Sequence, residues 1–390
     1  MFHIEPVRTP ADVSDFLRLP LKIYANQPAW IRPLDKDVLH VFDPRKNPLY
    51  TYGSEAQRWI ARSNHQVVGR IAAFINRKKY ALSFEYPVGG IGFFEAVNDK
   101  NVAFALFDTA RDWLESRGMK AMDGPINFGE KDRWWGLIIE NFVDPPYYCQ
   151  NFNPPYYVEF FEEYGFRIFY KQLLFKRAVS SDLAEKYIQK AERIRQNPRY
   201  SIQTIRKQYL PKYAEDFRHV YNKAWIKHES QKEMTHDQAM SIMKKLRPIL
   251  DEDLIYFAYY DEEPVGFFIS IPEINEVIRY LNGRIDWWGK LKFAYYLKVK
   301  KVVRTIMGLV FGVTPEHQGK GLEGYMVDAA RQTIVPKRKY ESIITNWVGD
   351  FNPKMIHIVQ GMGMKQYRAM ATYRFIFDPQ IHFERAPIIE

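Results

Sequence analysis

The same succession of elements occurs twice along this chain, and that repetition constrains the fold more than any other feature. RWIARSNHQVVGRIAAFIN (58–76) reads as a strand, a turn at Asn64-His65 and a second strand; LIYFAYYDEEPVGFFISIP (254–272) reads the same way, turning at Asp261–Glu263. Both second strands carry Val-Gly early, at Val68-Gly69 and Val265-Gly266. An amphipathic helix follows each, near 101–117 and 322–335. The first places Val102, Ala105, Leu106, Ala110, Trp113 and Leu114 on one face at helical spacing. Short strands come next, 120–127 and 342–348, and then Asn-Pro helix starts at Asn153-Pro154 and Asn352-Pro353, where Asn caps and Pro suits the first turn. Both helices end at glycine, Gly165 and Gly363, and run into a final strand. Unequal inserts (128–150 and 273–304) interrupt the two copies, so the order of elements, more than any spacing, predicts a duplicated domain.

A chain of 390 residues exceeds one ordinary core and suits two domains. The segment SSDLAEKYIQKAERIRQNPRY (180–200) reads as a charged helix between the copies, which divides the chain into 1–178 and 179–390. After it, 200–208 reads as a strand, with helices near 210–228 and 236–248. Strands and helices so interleaved give an α/β pattern.

Composition narrows the class. The chain is 46% hydrophobic and 26% charged, as soluble globular proteins are. No run approaches the ~20 apolar residues that span a bilayer, and Glu5, Arg8 and Asp12 occupy the stretch a signal peptide keeps apolar, which predicts a cytoplasmic protein. Cys149 is the single cysteine, so no intrachain disulfide can form; the nine histidines show no metal-like pairing, and no metal is expected. The net charge of +10 points to an anionic partner: nucleic acid, a membrane surface or a phosphorylated ligand.

The strongest chemical signal is LVFGVTPEHQGKGLEG (309–324), a strand, a glycine loop and a helix start. Glycines before a helix N-terminus let backbone amides approach a phosphate, and Lys320 adds charge, although glycines here also serve as plain turn punctuation. The loop and the surrounding elements resemble the GNAT superfamily of N-acetyltransferases, whose motif Gln/Arg-x-x-Gly-x-Gly/Ala reads here Gln318-Gly319-Lys320-Gly321-Leu322-Glu323. Glu323 departs from the motif's last position, with Gly324 one residue late. The resemblance implies a mixed, mostly antiparallel sheet flanked by helices in each of two tandem domains. It also implies that acyl-CoA is bound by Val313, Gln318, Gly319, Lys320, Gly321, Leu322 and Asn352, with the Val313 N–H stabilising the oxyanion. Where the superfamily commonly has a Tyr to protonate the leaving thiolate, this chain has Val359. The matching junction of the first copy, GFFEAVNDKNVAF (92–104), lacks the glycines and carries Glu95 and Asp99, which implies a degenerate phosphate loop there.

Residues 123–166 are rich in aromatic and polar side chains. They read either as a clamp packing the domains together or as a pocket in which Asn127, Glu130, Asp132, Asn153, Tyr156 and Tyr157 surround an amine. Glu130, Asp132, Tyr156 and Tyr157 are the catalytic candidates. The segment also resembles the bacterial ceramide synthase-like tandem acetyltransferase family through Gly124-Pro125-Ile126-Asn127, Pro145-Pro146 and Asn153-Pro154-Pro155-Tyr156-Tyr157, joined by Tyr221-Asn222-Lys223-Ala224-Trp225. That resemblance implies N-acylation of a sphingoid-type base from acyl-CoA. Two other readings stand: an acyl-CoA-binding sensor without catalysis, and an aminoacyl transferase drawing on aminoacyl-tRNA.

RIDWWGKLKFAYYLKVKKVVRT (284–305) interleaves aromatics with lysines. Such a stretch is either a solvated basic face or a peripheral contact with the anionic inner face of a membrane, which a lipid amine acceptor requires. Nucleic acid is not expected, because no nucleic-acid-binding motif accompanies it.

Overall fold

The computed structural model describes residues 1–78, 84–225 and 233–389. The first copy supplies β1 (Phe2–Pro6), α1 (Pro10–Ile23), α2 (Asp35–Phe42), β2 (Glu55–Ser63), β3 (Gln66–Ile75), β4 (Val88–Ala96), α3 (Lys100–Glu115), β5 (Ala121–Gly124), β6 (Leu137–Glu140), α4 (Tyr156–Tyr164) and β7 (Arg167–Ala178). The second supplies α5 (Glu185–Arg195), β8 (Tyr200–Thr204), α6 (Leu210–Trp225), α7 (His236–Leu246), β9 (Ile255–Tyr260), β10 (Glu263–Pro272), α8 (Asn275–Ile278), α9 (Trp287–Ala294), β11 (Thr305–Val313), α10 (Leu322–Ile334), β12 (Ser342–Thr345), β13 (Val348–Gly349), α11 (Pro353–Gly361) and β14 (Lys365–Ile376). The end of the helix expected over 210–228 and the side chain of Trp225 lie outside the described residues.

All strands among the described residues join one sheet in the order β1-β2-β3-β4-β5-β14-β7-β12-β11-β10-β9-β8, with β6 beside β14 and β13 beside β7. Two neighbouring pairs run parallel, β4 with β5 and β11 with β12, and the other described pairs are antiparallel. The helices cover the faces of this sheet, as the α/β pattern predicts.

The last strand of each copy crosses to the other. β7 pairs with β12 and β13, β14 pairs with β5 and β6, and the two exchanged strands lie side by side from Arg167–Arg374 to Lys176–Lys365. Residue 178 thus divides the sequence without dividing the sheet. Buried polar contacts fix the exchange. Arg374 of β14 makes a two-pronged contact with Asp123 of β5 at 2.7 and 2.8 Å, both side chains almost wholly buried. Breaking a charge pair removed from water in this way is costly, because it leaves one charge buried without a partner. The guanidinium of Arg368, also on β14 and fully buried, donates to the carbonyls of Asn141, Asp144 and Pro145 and to Gln150 Oε1. It thereby latches the 141–150 loop of the first copy onto a strand of the second.

Of the two Asn-Pro starts, the second forms as expected and the first does not. Asn352 caps α11, its Oδ1 accepting the Met355 N–H at 3.1 Å. Asn153 caps no helix: Pro154 and Pro155 delay α4 until Tyr156, and the Asn153 side chain instead bridges the N–H and carbonyl of Ile138 in β6.

Candidate functional site

The site follows from how β11 and β12 part. They pair from Thr305–Ser342 to Gly308–Thr345 and then diverge. On the other side of β11 the register with β10 slips by one residue at Leu309, between the pairs Val310–Ile269 and Gly308–Ser270. Such a bulge bends the strand away from its neighbour. Between the diverging strands and beneath α10 and α11 lies a cavity of about 310 Å³, walled by Val310, Phe311, Val327, Ile334, Ile358 and Val359. Arg177 and Arg331 also line it, and Asn346 and Trp347 stand where β12 ends. That volume is at the lower end of the ~300–1,000 Å³ typical of ligand pockets, and the walls are almost entirely apolar.

At the end of β11, the Thr314 N–H bonds back to the Val265 carbonyl of β10 at 2.9 Å. Successive amides of a strand alternate in direction, so the N–H and carbonyl of Val313 point the other way, toward the splay. Gln318 donates its side-chain amide to that Val313 carbonyl at 2.9 Å. Val313 and Leu322 share one core cluster and hold the two ends of the loop, while Gln318, Gly319 and Lys320 are exposed. The Thr314 hydroxyl is buried and has no hydrogen-bond partner among the described residues.

The two motif glycines have different duties. Gly319 has φ +71° and nothing within 4 Å of where a Cβ would sit, so the backbone there is open to an incoming group. Gly321 has φ +102°, and a Cβ would fall 2.7 Å from Lys190 Cβ of α5. Its smallness serves the packing of α5 on α10 and not direct access by a phosphate. α5 also sets Tyr187 between Gly324 and Gly361, where a Cβ would meet it at 3.1 and 2.0 Å. Asn352 has its side chain committed to the cap of α11. His317, beside the loop, bonds the Tyr200 hydroxyl through Nδ1 at 2.6 Å, and partial burial followed by the nearby Lys320 lowers its pKa.

The corresponding place in the first copy is filled. Gly69 faces Ala96 as Gly266 faces Val313, and Val97 N–H bonds the Val68 carbonyl as Thr314 N–H bonds that of Val265. The Ala96 N–H therefore also points outward, but it donates to the Tyr157 hydroxyl at 2.7 Å. Tyr157 and Tyr24 both donate to Glu95 Oε2, at 2.9 and 2.6 Å, and Arg70 pairs with Oε1 at 3.4 Å. Burial raises the Glu95 pKa against the opposing pull of Arg70. Phe94, Phe107, Phe160 and Phe161 complete the fill around Tyr157. Counted from the Asn-Pro starts, Tyr157 falls opposite Ile356 in α11, which has no hydroxyl to offer.

The four catalytic candidates are thus split between two places. Tyr156 and Tyr157 belong to this first-copy core; burial holds the Tyr157 phenol well above its ordinary pKa and moves Tyr156 to about 12. Glu130 and Asp132 are exposed on the loop after β5, where the Lys131 carbonyl accepts the indole N–H of Trp347 at 2.9 Å. That loop lies against the second copy at a residue lining the cavity.

Residues that the sequence does not single out meet at the same seam. The Tyr147 hydroxyl donates to Asn346 Oδ1 at 3.2 Å, and Tyr147 packs with Met307 and Ile344 beside Trp347. Glu273, at the end of β10, accepts the N–H groups of Tyr148 and Asn275 at 2.8 and 3.1 Å. Burial pushes its pKa up to about 8. Only the density of aromatic and proline residues in 123–166 signalled this seam in the sequence. Among the described residues, no group of three or more His, Cys, Asp or Glu is placed to hold a metal ion.

No family model matches this chain. It is 27% identical over 374 residues to the bacterial ceramide synthase of Caulobacter vibrioides (strain NA1000 / CB15N), spanning 94% of this chain and 96% of that one. It is also 27% identical over 374 residues to the protein YghO of Escherichia coli (strain K12), spanning 93% and 92%. Among solved structures, a tandem GNAT protein from the clavulanic acid biosynthesis pathway superposes with a TM-score of 0.55 at 12% identity, covering 98% of this chain and 100% of the other. Two copies of one element order, strands 11 and 12 splayed over an open cavity and the filled counterpart in the first copy agree with these likenesses: the chain is a tandem-domain protein of the GNAT N-acetyltransferase fold that resembles the bacterial ceramide synthase-like family along its length.

Proposed function

We propose that this protein is an N-acyltransferase that moves an acyl group from acyl-CoA to a primary amine, with a long-chain sphingoid-type base as acceptor. The observation that carries the reading is the apolar cavity at the splay of β11 and β12, which suits a hydrocarbon chain better than an acetyl group alone. The thioester carbonyl would lie near the outward N–H of Val313, which stabilises the oxyanion as the amine nitrogen attacks. The tetrahedral adduct collapses by breaking the C–S bond, leaving an amide and the CoA thiolate. The ammonium gives one proton to a carboxylate at the seam, Glu130, Asp132 or Glu273, before attack, and the second proton, shed by the adduct nitrogen, goes to the thiolate. Gly319, Lys320 and the N-terminus of α10 would take the pyrophosphate, with Gln318, Gly321, Leu322 and Asn352 shaping that loop and the neighbouring helix start.

In this reading the chain divides functionally near residue 178, into a first domain that forms the acceptor side and a second that holds the donor. The ceramide synthase likeness supports the sphingoid acceptor. Peripheral contact with an anionic membrane fits such an acceptor. In α9 and the single π-helical turn after it, Trp287, Trp288, Leu291, Tyr295 and Val299 are exposed at helical spacing, with Lys290, Lys292, Lys298 and Lys300 around them. No helix among the described residues is long and apolar enough to cross a membrane.

The test incubates the purified full chain with acyl-CoAs of graded length and sphinganine, following free thiol and the amide by mass spectrometry. Amide formation that rises with chain length is expected. Tight acyl-CoA binding with no amide from any amine would overturn catalysis in favour of the sensor reading, to which Glu323 and Val359 lend support.

A further inference from the structure

Beside the exposed aromatic stripe of α9, a pocket of about 740 Å³ opens between α1 of the first copy and the 281–292 segment of the second. Four cationic side chains line it, Arg18, Arg32, Arg284 and Lys292, against two carboxylates, Asp35 and Asp286. Both carboxylates are already engaged. Asp35 takes a two-pronged contact from Arg32 at 3.0 and 2.9 Å, and Asp286 caps α9 by accepting the Gly289 N–H at 2.8 Å. Arg18, Arg284 and Lys292 have no side-chain hydrogen bond or ion pair among the described residues, and the buried Nε of Arg32 has none either. Four cations set against two carboxylates leave an excess of positive charge in the pocket, and an anion in their midst relieves that repulsion.

We infer that this pocket binds the phosphate headgroup of an anionic phospholipid while the neighbouring stripe enters the membrane interface. Trp288 belongs to both features: it lines the pocket and is 67% exposed on the stripe with Trp287. Phe293, Tyr296 and Leu297 from the same segment turn inward and pack on the second copy's core, and Tyr296 stacks on Tyr280 with ring centroids 4.0 Å apart. The segment is therefore held rigidly and presents one apolar face outward. Tryptophans favour the headgroup level of a bilayer, which would bring a phosphate to the depth of Arg18, Arg284 and Lys292. Gly283, with φ +75°, carries the chain over Arg32 at a distance no side chain allows, since a Cβ would lie 2.4 Å from Nε. The pocket thus uses a residue pair from the two copies and forms only when they are assembled.

This inference rests on the membrane contact proposed above, and the experiment separates the two. The full chain is sedimented with phosphatidylcholine vesicles, with and without phosphatidylglycerol. The variants are Arg18→Ala/Arg284→Ala in the pocket and Trp287→Ser/Trp288→Ser on the stripe. Thermal unfolding and acyl transfer to a short soluble amine serve as controls for folding. The wild type should prefer phosphatidylglycerol vesicles. The pocket variant should lose about fivefold per cation, about twenty-fivefold in all, while keeping its weak binding to neutral vesicles. The stripe variant should lose binding to both. If the wild type sediments with neither vesicle, the membrane contact itself is wrong. If it binds anionic vesicles and the pocket variant matches it, the pocket assignment alone is wrong. Titration with glycerol phosphate in the absence of vesicles provides the last arm: micromolar binding abolished by the pocket variant would make the site one for a free phosphorylated metabolite and overturn the lipid assignment.

Discussion

The Ala96 N–H donates to the Tyr157 hydroxyl at 2.7 Å, at the place in the first copy where the second leaves the N–H of Val313 facing an open splay. One phenol therefore occupies, in the first copy, the position that the proposed reaction gives to the acyl carbonyl in the second. Because Tyr157 is also hydrogen-bonded to the buried Glu95, removing its hydroxyl leaves an amide and a carboxylate short of a partner. Tyr157→Phe should lower unfolding free energy by about 1–3 kcal/mol, read by urea denaturation. Turnover of the folded fraction should be unchanged. A fall in kcat of a hundredfold or so with stability intact would instead make Tyr157 a catalytic acid.

Chain-length selectivity should reside in the second copy. Gly308 lines the cavity, and a Cβ there would meet only the Ile344 carbonyl, at 3.5 Å. Gly308→Leu can therefore grow into the cavity without disturbing the sheet. Displacing three methylenes of an acyl chain at about 0.8 kcal/mol each raises KM for long-chain donors about fiftyfold. Acetyl-CoA should be used as before. Equal loss for short and long donors would place the chain elsewhere.

Both positions show what the sequence could and could not disclose. Hairpin turns and helical periodicity are legible because each depends on neighbours close in sequence, whereas Asn153 looks like a helix cap and instead bridges Ile138. The exchange of β7 and β14 was not legible, because the contacts that accompany it, Asp123–Arg374 and those of Arg368, join residues more than two hundred positions apart. Nor could a motif tell Gly319, open to solvent, from Gly321, pressed against Lys190 of a helix over a hundred residues earlier in the chain. Tyr156 and Tyr157 drew attention as polar aromatics in a polar segment, and only packing reveals that they face inward. Glu273 gave no signal, since nothing local distinguishes a carboxylate that will be buried from one that will not.

The same contrast between glycines can be measured. Lys320 is exposed and carries no ion pair among the described residues, so Lys320→Ala should weaken CoA binding about tenfold, as loss of one charge-assisted contact does, without changing the melting temperature. Gly321→Ala should act the other way round, lowering the melting temperature because it strains φ and pushes α5 from α10. Calorimetric titration with CoA, paired with thermal unfolding of both variants, checks the two outcomes together. A Lys320→Ala protein that binds CoA like wild type would remove the loop from the cofactor site.

Glu273 supplies a test that depends on pH. Burial raises its pKa to about 8 from the ordinary 4.5, so the folded chain holds a proton that the unfolded chain releases over that interval. Its contribution to stability is full below about pH 4.5, declines as pH rises toward 8 and is lost above, at about 1.4 kcal/mol per unit in the limit of a single independent group. Glu273→Gln keeps the shape and removes the proton, so its unfolding free energy should exceed that of wild type near pH 8.5 and not near pH 5. Rate data decide whether the carboxyl also acts on the amine. As the base, it would make wild-type kcat/KM climb through about pH 8, and the Gln variant would lose about a hundredfold or more. If the variant flattens the stability profile but keeps the rate, proton removal belongs to Glu130 or Asp132, the carboxylates flanking the Lys131 carbonyl that Trp347 holds at the cavity.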